Sequence, residues 1–456
     1  MNRCSDNSVT GRPSLACSPL LPEITEPERS IPVQDSFDVL VCGSGPAGIA
    51  AALSAARAGA RTCIVENGGC LGGVWTAGLL TYILDAGNKP GITREIRERL
   101  RERGALAQLH DLYDVEAMKL LLEELCELDG VHVRLYTRLV AARVEERRVT
   151  HAVFESKEGR FALEAARFVD CTGDGDLGAF AGCGFDFGRD SDGLTQPMTL
   201  MAIIANVPFA CLHGDHPWGP FLAETKDRLR EMLTSAGFQP SYAKPTIFPL
   251  PNGLGALMVH HAYEMSGLRS TDLTAATLQG RRELHQAVAA MRRFGPGWEN
   301  LVLVESAAHI GVREGRRLHG RYRIVADDIA EGKTHPDAVA RATFGFDVHS
   351  VRRSDGGGYG CDGLGKHPQP YDIPLRALIA RDRDNLLMAG RCISGDFHAH
   401  ASYRVTGNAT ITGEAAGVLA AVSLCDDTTP FQVEFSRFFR ALHDVRECAA
   451  CAVTAG

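Results

Sequence analysis

The chain has 456 residues, 45 % of them apolar, and its 48 Lys+Arg against 56 Asp+Glu give a formal net charge of −8. That length fits two interwoven domains around an ample core, and the acidic balance gives no global footprint for nucleic acid. There is no run of about 18 apolar residues, which argues against a membrane-spanning helix.

The 14 cysteines are scattered. Cys42, Cys63, Cys126, Cys171, Cys392 and Cys425 fall in presumed strands and helices, a pattern that predicts small buried hydrophobes in a reducing cytoplasm instead of a disulfide framework. Cys448 and Cys451 form a lone Cys-x-x-Cys near the C-terminus with no partner pair at ligand spacing, so no metal site is expected.

In chain order, residues 1–34 are rich in Ser, Pro and Thr, lack a signal-peptide pattern, and are expected to be a disordered extension. Phe37–Cys42 predicts a buried strand, followed by Gly43-Ser44-Gly45-Pro46-Ala47-Gly48. Ile49, Ala52, Leu53 and Ala56 recur at helical spacing, Gly59 stops the helix, and Ala60–Val65 predicts a second strand closed by Glu66. A bare Gly-x-Gly-x-x-Gly is also what an ordinary glycine-rich turn looks like. Strand, turn, helix, strand and acid in this order point instead to a dinucleotide site. Gly43 allows the turn, Gly45 lets a pyrophosphate approach, Gly48 lets the helix pack on the strand, and Glu66 can accept from ribose hydroxyls.

A second glycine cluster, Gly68–Gly78, is interleaved with Leu71, Val74 and Trp75, which suits a packed loop against a flat ligand better than a flexible one. Thr93–Arg103 predicts a charged helix with a solvated face. Asp114 predicts the cap of a helix whose Met118, Leu121, Leu122, Leu125 and Leu128 form a core stripe. Strands are expected at Val131–Leu135, Leu139–Val149 and His151–Phe168, with a turn at Lys157-Glu158-Gly159. Another strand runs from Phe168 into Thr172-Gly173-Asp174-Gly175-Asp176.

Residues 193–372 differ in texture, with Pro/Gly-punctuated apolar pieces (Met198–Val207, Thr246–His260) and a polar helical stretch, Ser270–Arg293. Within them, His309-Ile310-Gly311-Val312-Arg313-Glu314-Gly315-Arg316-Arg317 carries arginines suited either to an anionic ligand or to a structural network with Glu314 and nearby acids. Gly356–Gly360 is a candidate lid. Asn385–Gly390 predicts a strand, Arg391–Gly407 a loop, and Thr412–Leu424 a tightly packed Ala/Gly-rich helix.

These motifs resemble the FAD-dependent oxidoreductase family, built on the glutathione-reductase-like FAD fold. The matching residues are Gly43–Gly48, Leu71-Gly72-Gly73 with Thr76, Asp170–Asp176, Ile310–Glu314 with Arg316-Arg317, Asp372-Ile373-Pro374, and Ala389–Ser394 through His400 and Arg404. The resemblance implies an α/β fold: a Rossmann-like FAD-binding domain, parallel sheet plus antiparallel crossover strands, with an inserted α+β substrate domain. The expected divisions are 35–192 and 373–430 for FAD, 193–372 for the substrate cap, and 431–456 for a C-terminal helix and tail. FAD contacts are implied at Gly43, Gly45, Pro46, Ala47, Gly48, Glu66, Asn67, Gly72, Gly73, Thr76, Val140, Thr172, Gly173, Asp174, Gly390, Arg391, Asn408 and Gly413, with the flavin ring near Ser394–Gly413. Val74, Trp75 and Thr76 stand where disulfide reductases carry a redox cysteine pair, no second mid-chain Gly-x-Gly-x-x-Gly unit serves NAD(P)H, and Phe397 replaces a common histidine.

The expected chemistry is hydride transfer from a small organic substrate to FAD, in a dehydrogenase or oxidase. His400 and His398 are candidate bases, with a structural role open for each. Arg404 is a candidate for a substrate carboxylate or the reduced flavin's charge, and Tyr403 for a substrate oxygen. Cys70 is either a thiol near the flavin or a packing residue. The alternatives are a monooxygenase fed by free NAD(P)H and O2, and a non-catalytic flavin-binding redox protein. The implied partners are the substrate and an external acceptor (O2, a quinone or a protein), with no nucleic acid, and a homo-oligomer is compatible.

Overall fold

The computed structural model describes residues 23–108, 110–213, 219–356, 359–360 and 364–454. Most of the expected extension, residues 1–22, therefore lies outside the described residues, as do Gly357 and Gly358 of the candidate lid.

The first layer is a seven-stranded sheet. Strands β1 (Val33–Cys42), β2 (Thr62–Val65) and β3 (His132–Arg134) run parallel, with β1 at the centre, and β6 (Gly159–Asp170) runs parallel to β1 on its other side. Val39 to Cys42 are buried on both faces, as a central parallel strand requires. Strand β6 divides its partners along its length. Its first half pairs antiparallel with β5 (Arg148–Ser156), which pairs with β4 (Arg138–Glu145), while Phe168–Asp170 pair parallel with the strand Leu386–Met388. The C-terminal segment thus completes the sheet that the N-terminal segment begins.

Helix α1 (Pro46–Arg57) is buried from Pro46 to Ala55 because it lies between that sheet and the long helix Thr406–Cys425. Two glycines make the crossing close. A Cβ at Gly413 would sit 2.0 Å from the Ala47 carbonyl oxygen, and one at Gly417 would sit 2.1 Å from that of Ala51. By length and composition Thr406–Cys425 could cross a membrane, but it is buried in the core. Its one carboxylate, Glu414, pairs with Arg446 of the C-terminal helix Phe435–Thr454 at 2.6 Å and accepts the Ile92 N–H.

The second layer is a four-stranded antiparallel sheet, ordered Val302–Ser306, Ala202–Ala205, Gly255–Met258 and Thr246–Pro249. Helices Ala223–Ser235 and Ser270–Met291 supply Leu229, Leu233, Leu284, Val288 and Met291 to a core shared with Ile203, Ile204, Ile247 and Leu257. The chain is an α/β fold with an inserted α+β unit. Its two cores cut the sequence differently from a 193–372 boundary: Leu318, Ile324, Ile329, Val339 and Phe346 pack with the first sheet, and Leu79, Leu112 and Val115 with the second.

Several local expectations are corrected. The sheet starts at Val33, because the long edge of β6 pairs Val33 with Ala162 and Asp35 with Leu163. Helix α2 (Ile92–Glu102) is not solvated all round: Ile92, Ile96 and Leu100 make an i, i+4 stripe under its charges, and Glu95 is buried between Arg57 (2.7 Å) and Arg99 (3.1 Å). Leu139–Val149 breaks at Glu146, which takes a positive φ of 54°. The expected loop Arg391–Gly407 contains the short helix Phe397–Tyr403, capped by Asp396, whose Oδ1 accepts the Ala399 N–H at 2.7 Å. The long helix begins at Thr406, six residues before Thr412 (412 − 406). Cys42, Cys63, Cys126, Cys171 and Cys392 are buried, but Cys425 is exposed.

Candidate functional site

The site forms where β1, β6 and Leu386–Met388 end together. Gly43 takes φ +94°, and a Cβ there would meet the Cys171 carbonyl oxygen at 2.5 Å, so the turn is pressed against the end of β6. At Gly48 a Cβ would sit 1.8 Å from the Gly43 oxygen, which is the close packing of helix on strand. At Gly45 a Cβ would meet nothing within 4 Å. The backbone above Gly45 is open while its neighbours on both sides are clamped, a cradle suited to a phosphate at the positive end of α1, with Pro46 at N1.

Glu66 ends β2 beside this cradle. Its Oε2 accepts from the Ser44 N–H (2.9 Å) and hydroxyl (2.7 Å), and its Oε1 from the Gly68 N–H (2.7 Å). Those bonds fix the carboxylate and leave lone pairs for hydroxyl donors. Asn67, next to it, is exposed. The second glycine run folds back onto the first: the Gly72 N–H donates to the Ser44 oxygen, and a Cβ at Gly73 would touch the Gly45 Cα at 2.9 Å. Thr76 is buried and donates to the Leu71 carbonyl, closing the loop on itself. Val140 falls at a bulge between β4 and β5, so its backbone is out of the ladder.

The turn after β6 faces the turn after Leu386–Met388. Asp170 is fully buried, accepts from the Thr172 hydroxyl (2.7 Å) and the Gly178 N–H (2.8 Å), and burial pushes its carboxyl up to about 6. Gly173, at φ +79°, lies under the Arg391 guanidinium, which pairs with Asp174 at 3.2 Å and donates to the Val312 carbonyl at 2.5 Å. Gly390 takes φ +78° with its Cα against Ala47. Gly413 is placed differently from the expectation. It sits in the helix crossing with α1, where only a hydrogen fits, and not on the open cradle.

His400 is buried in the helix after Arg391 with neither ring nitrogen hydrogen-bonded. Burial, then the charges of Arg317, Arg404 and Arg391, hold it well below the usual histidine range, so the ring is neutral. Asn408, in the first turn of the long helix, is equally buried, and its amide oxygen and nitrogen both lack partners. Orphaned polar groups of this kind are costly unless a ligand satisfies them. The other two candidates of this helix are committed. Tyr403 donates its hydroxyl to the Ile393 carbonyl at 2.9 Å and covers Gly395, and Arg404 pairs with Asp347 at 3.0 Å. The Tyr403 hydroxyl keeps its acceptor capacity, and Arg404 Nε is buried with no hydrogen-bond partner among the described residues. His398 is half-buried, edge-on to Phe397. Cys70 lies 3.7 Å from the Thr76 hydroxyl, within the loop.

The segment His309–Gly320 joins every part of the site. His309 donates to the Ala77 carbonyl of the second glycine run, and Gly311 pairs with Thr199 beside the inserted sheet. Arg316 donates to the Asp174 carbonyl (3.0 Å) and pairs with Asp176 (2.8 Å), and Arg317 pairs with fully buried Glu314 and donates to the Gly395 carbonyl (3.2 Å). Sequence reasoning left these arginines between two roles; geometry separates them, with Arg316 and Arg317 structural and Arg313 in no ion pair among the described residues. Sequence reasoning also missed the aromatic and imidazole cluster facing Arg313, formed by Tyr242, His261, Tyr263 and His349. His260 and His261 followed an apolar strand pattern and gave no local sign.

A dinucleotide cradle, an acid at the second strand and a C-terminal segment returning to the same sheet define a Rossmann-like flavoprotein fold. The chain belongs to the FAD dependent oxidoreductase family, whose model matches residues 38–442. Solved structures similar to it include a geranylgeranyl bacteriochlorophyll reductase-like protein from Thermoplasma acidophilum (14 % identity, covering 91 % of this chain and 84 % of that chain, TM-score 0.43). Also similar are p-nitrophenol 4-monooxygenase PnpA from Pseudomonas putida DLL-E4 (10 %, 91 % and 86 %, TM-score 0.46) and the myxobacterial halogenase CndH (12 %, 90 % and 78 %, TM-score 0.46). No curated protein sequence matches the chain. The cofactor is FAD, and the open Gly45 backbone and the unpaired Asn408 amide fit a pyrophosphate and a heterocycle edge respectively.

Proposed function

We propose that this protein is an FAD-dependent dehydrogenase or oxidase of a small organic substrate, with His400 as the base. The observation that carries this is the buried, neutral His400 ring with both nitrogens unpaired, three residues after a helix start that Asp396 fixes. A neutral imidazole with a vacant nitrogen can take a proton from a substrate hydroxyl or amine without first losing one.

Bound FAD supplies the two-electron acceptance that no side chain of the protein can provide. Gly43, Gly45, Pro46, Ala47 and Gly48 hold the pyrophosphate on the N-terminus of α1, and Glu66 with the Asn67 backbone receives the ribose. The Val140 backbone, outside the ladder, would be free to meet the adenine, and Gly72 and Gly73, held in shape by Thr76, would receive the phosphates. Thr172, Gly173, Asp174, Gly390 and Arg391 close over the middle of the cofactor, and Asn408 offers its amide to the ring. His400 takes the substrate proton, His398 stands at the half-buried entrance of the same helix, and Tyr403 and Arg404 position that helix.

The test is anaerobic mixing of the FAD-loaded protein with candidate donors while flavin absorbance is followed. Donor-dependent bleaching, slowed about 100-fold or more in His400→Ala, is the expected result. Wild-type rates in the variant would remove His400 as base. NAD(P)H consumption with oxygen incorporated into product, and no bleaching by donors alone, would replace the proposal with a monooxygenase.

A further inference from the structure

The three arginines of the His309–Gly320 segment meet different fates. Arg317 is neutralised by Glu314 and Arg316 by Asp176, but Arg313 makes no ion pair among the described residues. Its hydrogen bonds run from Nη1 alone, to the Pro197 carbonyl (2.7 Å) and the Thr199 hydroxyl (2.6 Å), both neutral acceptors. These two bonds fix the plane of the guanidinium and leave its Nε–Nη2 edge unused, the edge that takes a carboxylate with two parallel hydrogen bonds.

The surroundings do not supply the missing charge. Asp347, the acid on this side of the site, is already held by Arg404 (3.0 Å) and His349 (3.4 Å). His260, His261 and His349 are buried, and burial and then the Arg313 charge keep each of them neutral. His261 touches Tyr263 through Nδ1 (3.2 Å) and stacks near Tyr242 (ring centres 4.1 Å), while its Nε2 is buried without a partner. Two arginines against one aspartate leave a single uncompensated positive charge, next to a second vacant donor or acceptor. Arg313 is half-buried, and a half-buried charge without an ion-pair partner favours a counter-ion. Arg313 is tied to Pro197 and Thr199 beside the inserted sheet, whereas the arginine at the cradle turn is Arg391, which pairs with Asp174 and donates to the Val312 carbonyl.

We propose that Arg313, oriented by Thr199 and Pro197 and flanked by His261, is the subsite for a carboxylate on the substrate, so that the substrate is a small organic monoanion. This rests on the oxidoreductase reading above for the identity of the ligand as substrate, not for the existence of the site. One surplus charge and one free guanidinium edge suit a monocarboxylate better than a doubly charged phosphate.

The probes are acetate, butyrate and benzoate, each beside its amide, titrated into the FAD-loaded protein by calorimetry and by the flavin absorption spectrum. At least one carboxylate should bind while its amide does not, and Arg313→Met should weaken that carboxylate about 10- to 100-fold, with Arg313→Lys between the two. The melting temperature separates this from a structural role. Removing a half-buried cation that makes no ion pair among the described residues should leave Arg313→Met about as stable as the wild type, whereas a scaffold arginine would lose stability. Equal binding of acids and amides, no binding of any carboxylate to the wild type, or full binding in a folded Arg313→Met would each overturn the proposal. Carboxylate binding without bleaching by any 2-hydroxy or 2-amino acid would leave the subsite standing and bring down the dehydrogenase reading instead.

Discussion

The Gly43–Glu66 unit and the His309–Gly320 segment lie at the same site but are built by opposite means. In the first, function resides in backbone: what matters is where a side chain is absent, at Gly43, Gly45 and Gly48. In the second, function resides in side chains whose partners come from Asp176, Gly395 and Thr199, far apart in the chain. The backbone device is clamped at Gly43 and Gly48, where a Cβ would clash, and open at Gly45. The side-chain device holds its arginines by separate partners, Asp176 for Arg316, Glu314 for Arg317 and Thr199 for Arg313, and in our proposal it is the part that selects the substrate.

If that contrast is right, the largest effect belongs to Gly48→Ala. A methyl 1.8 Å from the Gly43 oxygen forces helix and strand apart, with an expected loss of about 3 kcal/mol or more and of bound FAD, measured by denaturant titration and flavin content. Arg317→Met should come next, costing about 3–5 kcal/mol because Glu314 is left as a buried unpaired carboxylate. Equal stabilities of Arg317→Met and Arg313→Met would erase the distinction drawn between the two arginines. His400→Ala is expected to cost the reaction about two orders of magnitude while leaving FAD content unchanged; loss of the cofactor instead would make His400 part of the scaffold.

The smallest effect is a pH slope. Burial raises the Asp170 carboxyl from 3.8 to about 6, so the folded state favours the protonated form. This group's contribution is fully present below its unfolded value near 3.8 and is lost as pH rises to about 6. Subtracting the stability of Asp170→Asn from that of the wild type across this window should reveal a decline with pH; a flat difference would mean that the carboxylate is solvated.

The first device was legible in the sequence because each glycine's reason lies within a few residues of it, and the strand, turn and helix around it are local patterns. The second was only half legible. Arg313, Arg316 and Arg317 stand out as a cluster, but which of them keeps a free charge depends on acids that the fold brings from elsewhere, and Asp176 lies 140 positions from Arg316. The helix Phe397–Tyr403 had a local sign, Asp396 as an N-cap three residues before Ala399, yet its seven residues are too few to show a period. His261 and His349 gave none, since residues 88 positions apart (349 − 261) meet at 5.0 Å only in the folded chain.

The close crossing of α1 with Thr406–Cys425 has a consequence for how the chain is made. The nucleotide-binding helix leaves the ribosome long before the surface that covers it is synthesised; Leu84 and Thr406, hydrogen-bonded at 3.1 Å, are 322 positions apart. During translation the Ala47–Ala51 face has no permanent neighbour, and the sheet lacks the strand Leu386–Met388. A nascent chain stopped before Thr406 would therefore present its alanine face to chaperones, and the oxidoreductase acquires its cofactor site only when both termini of the domain have met.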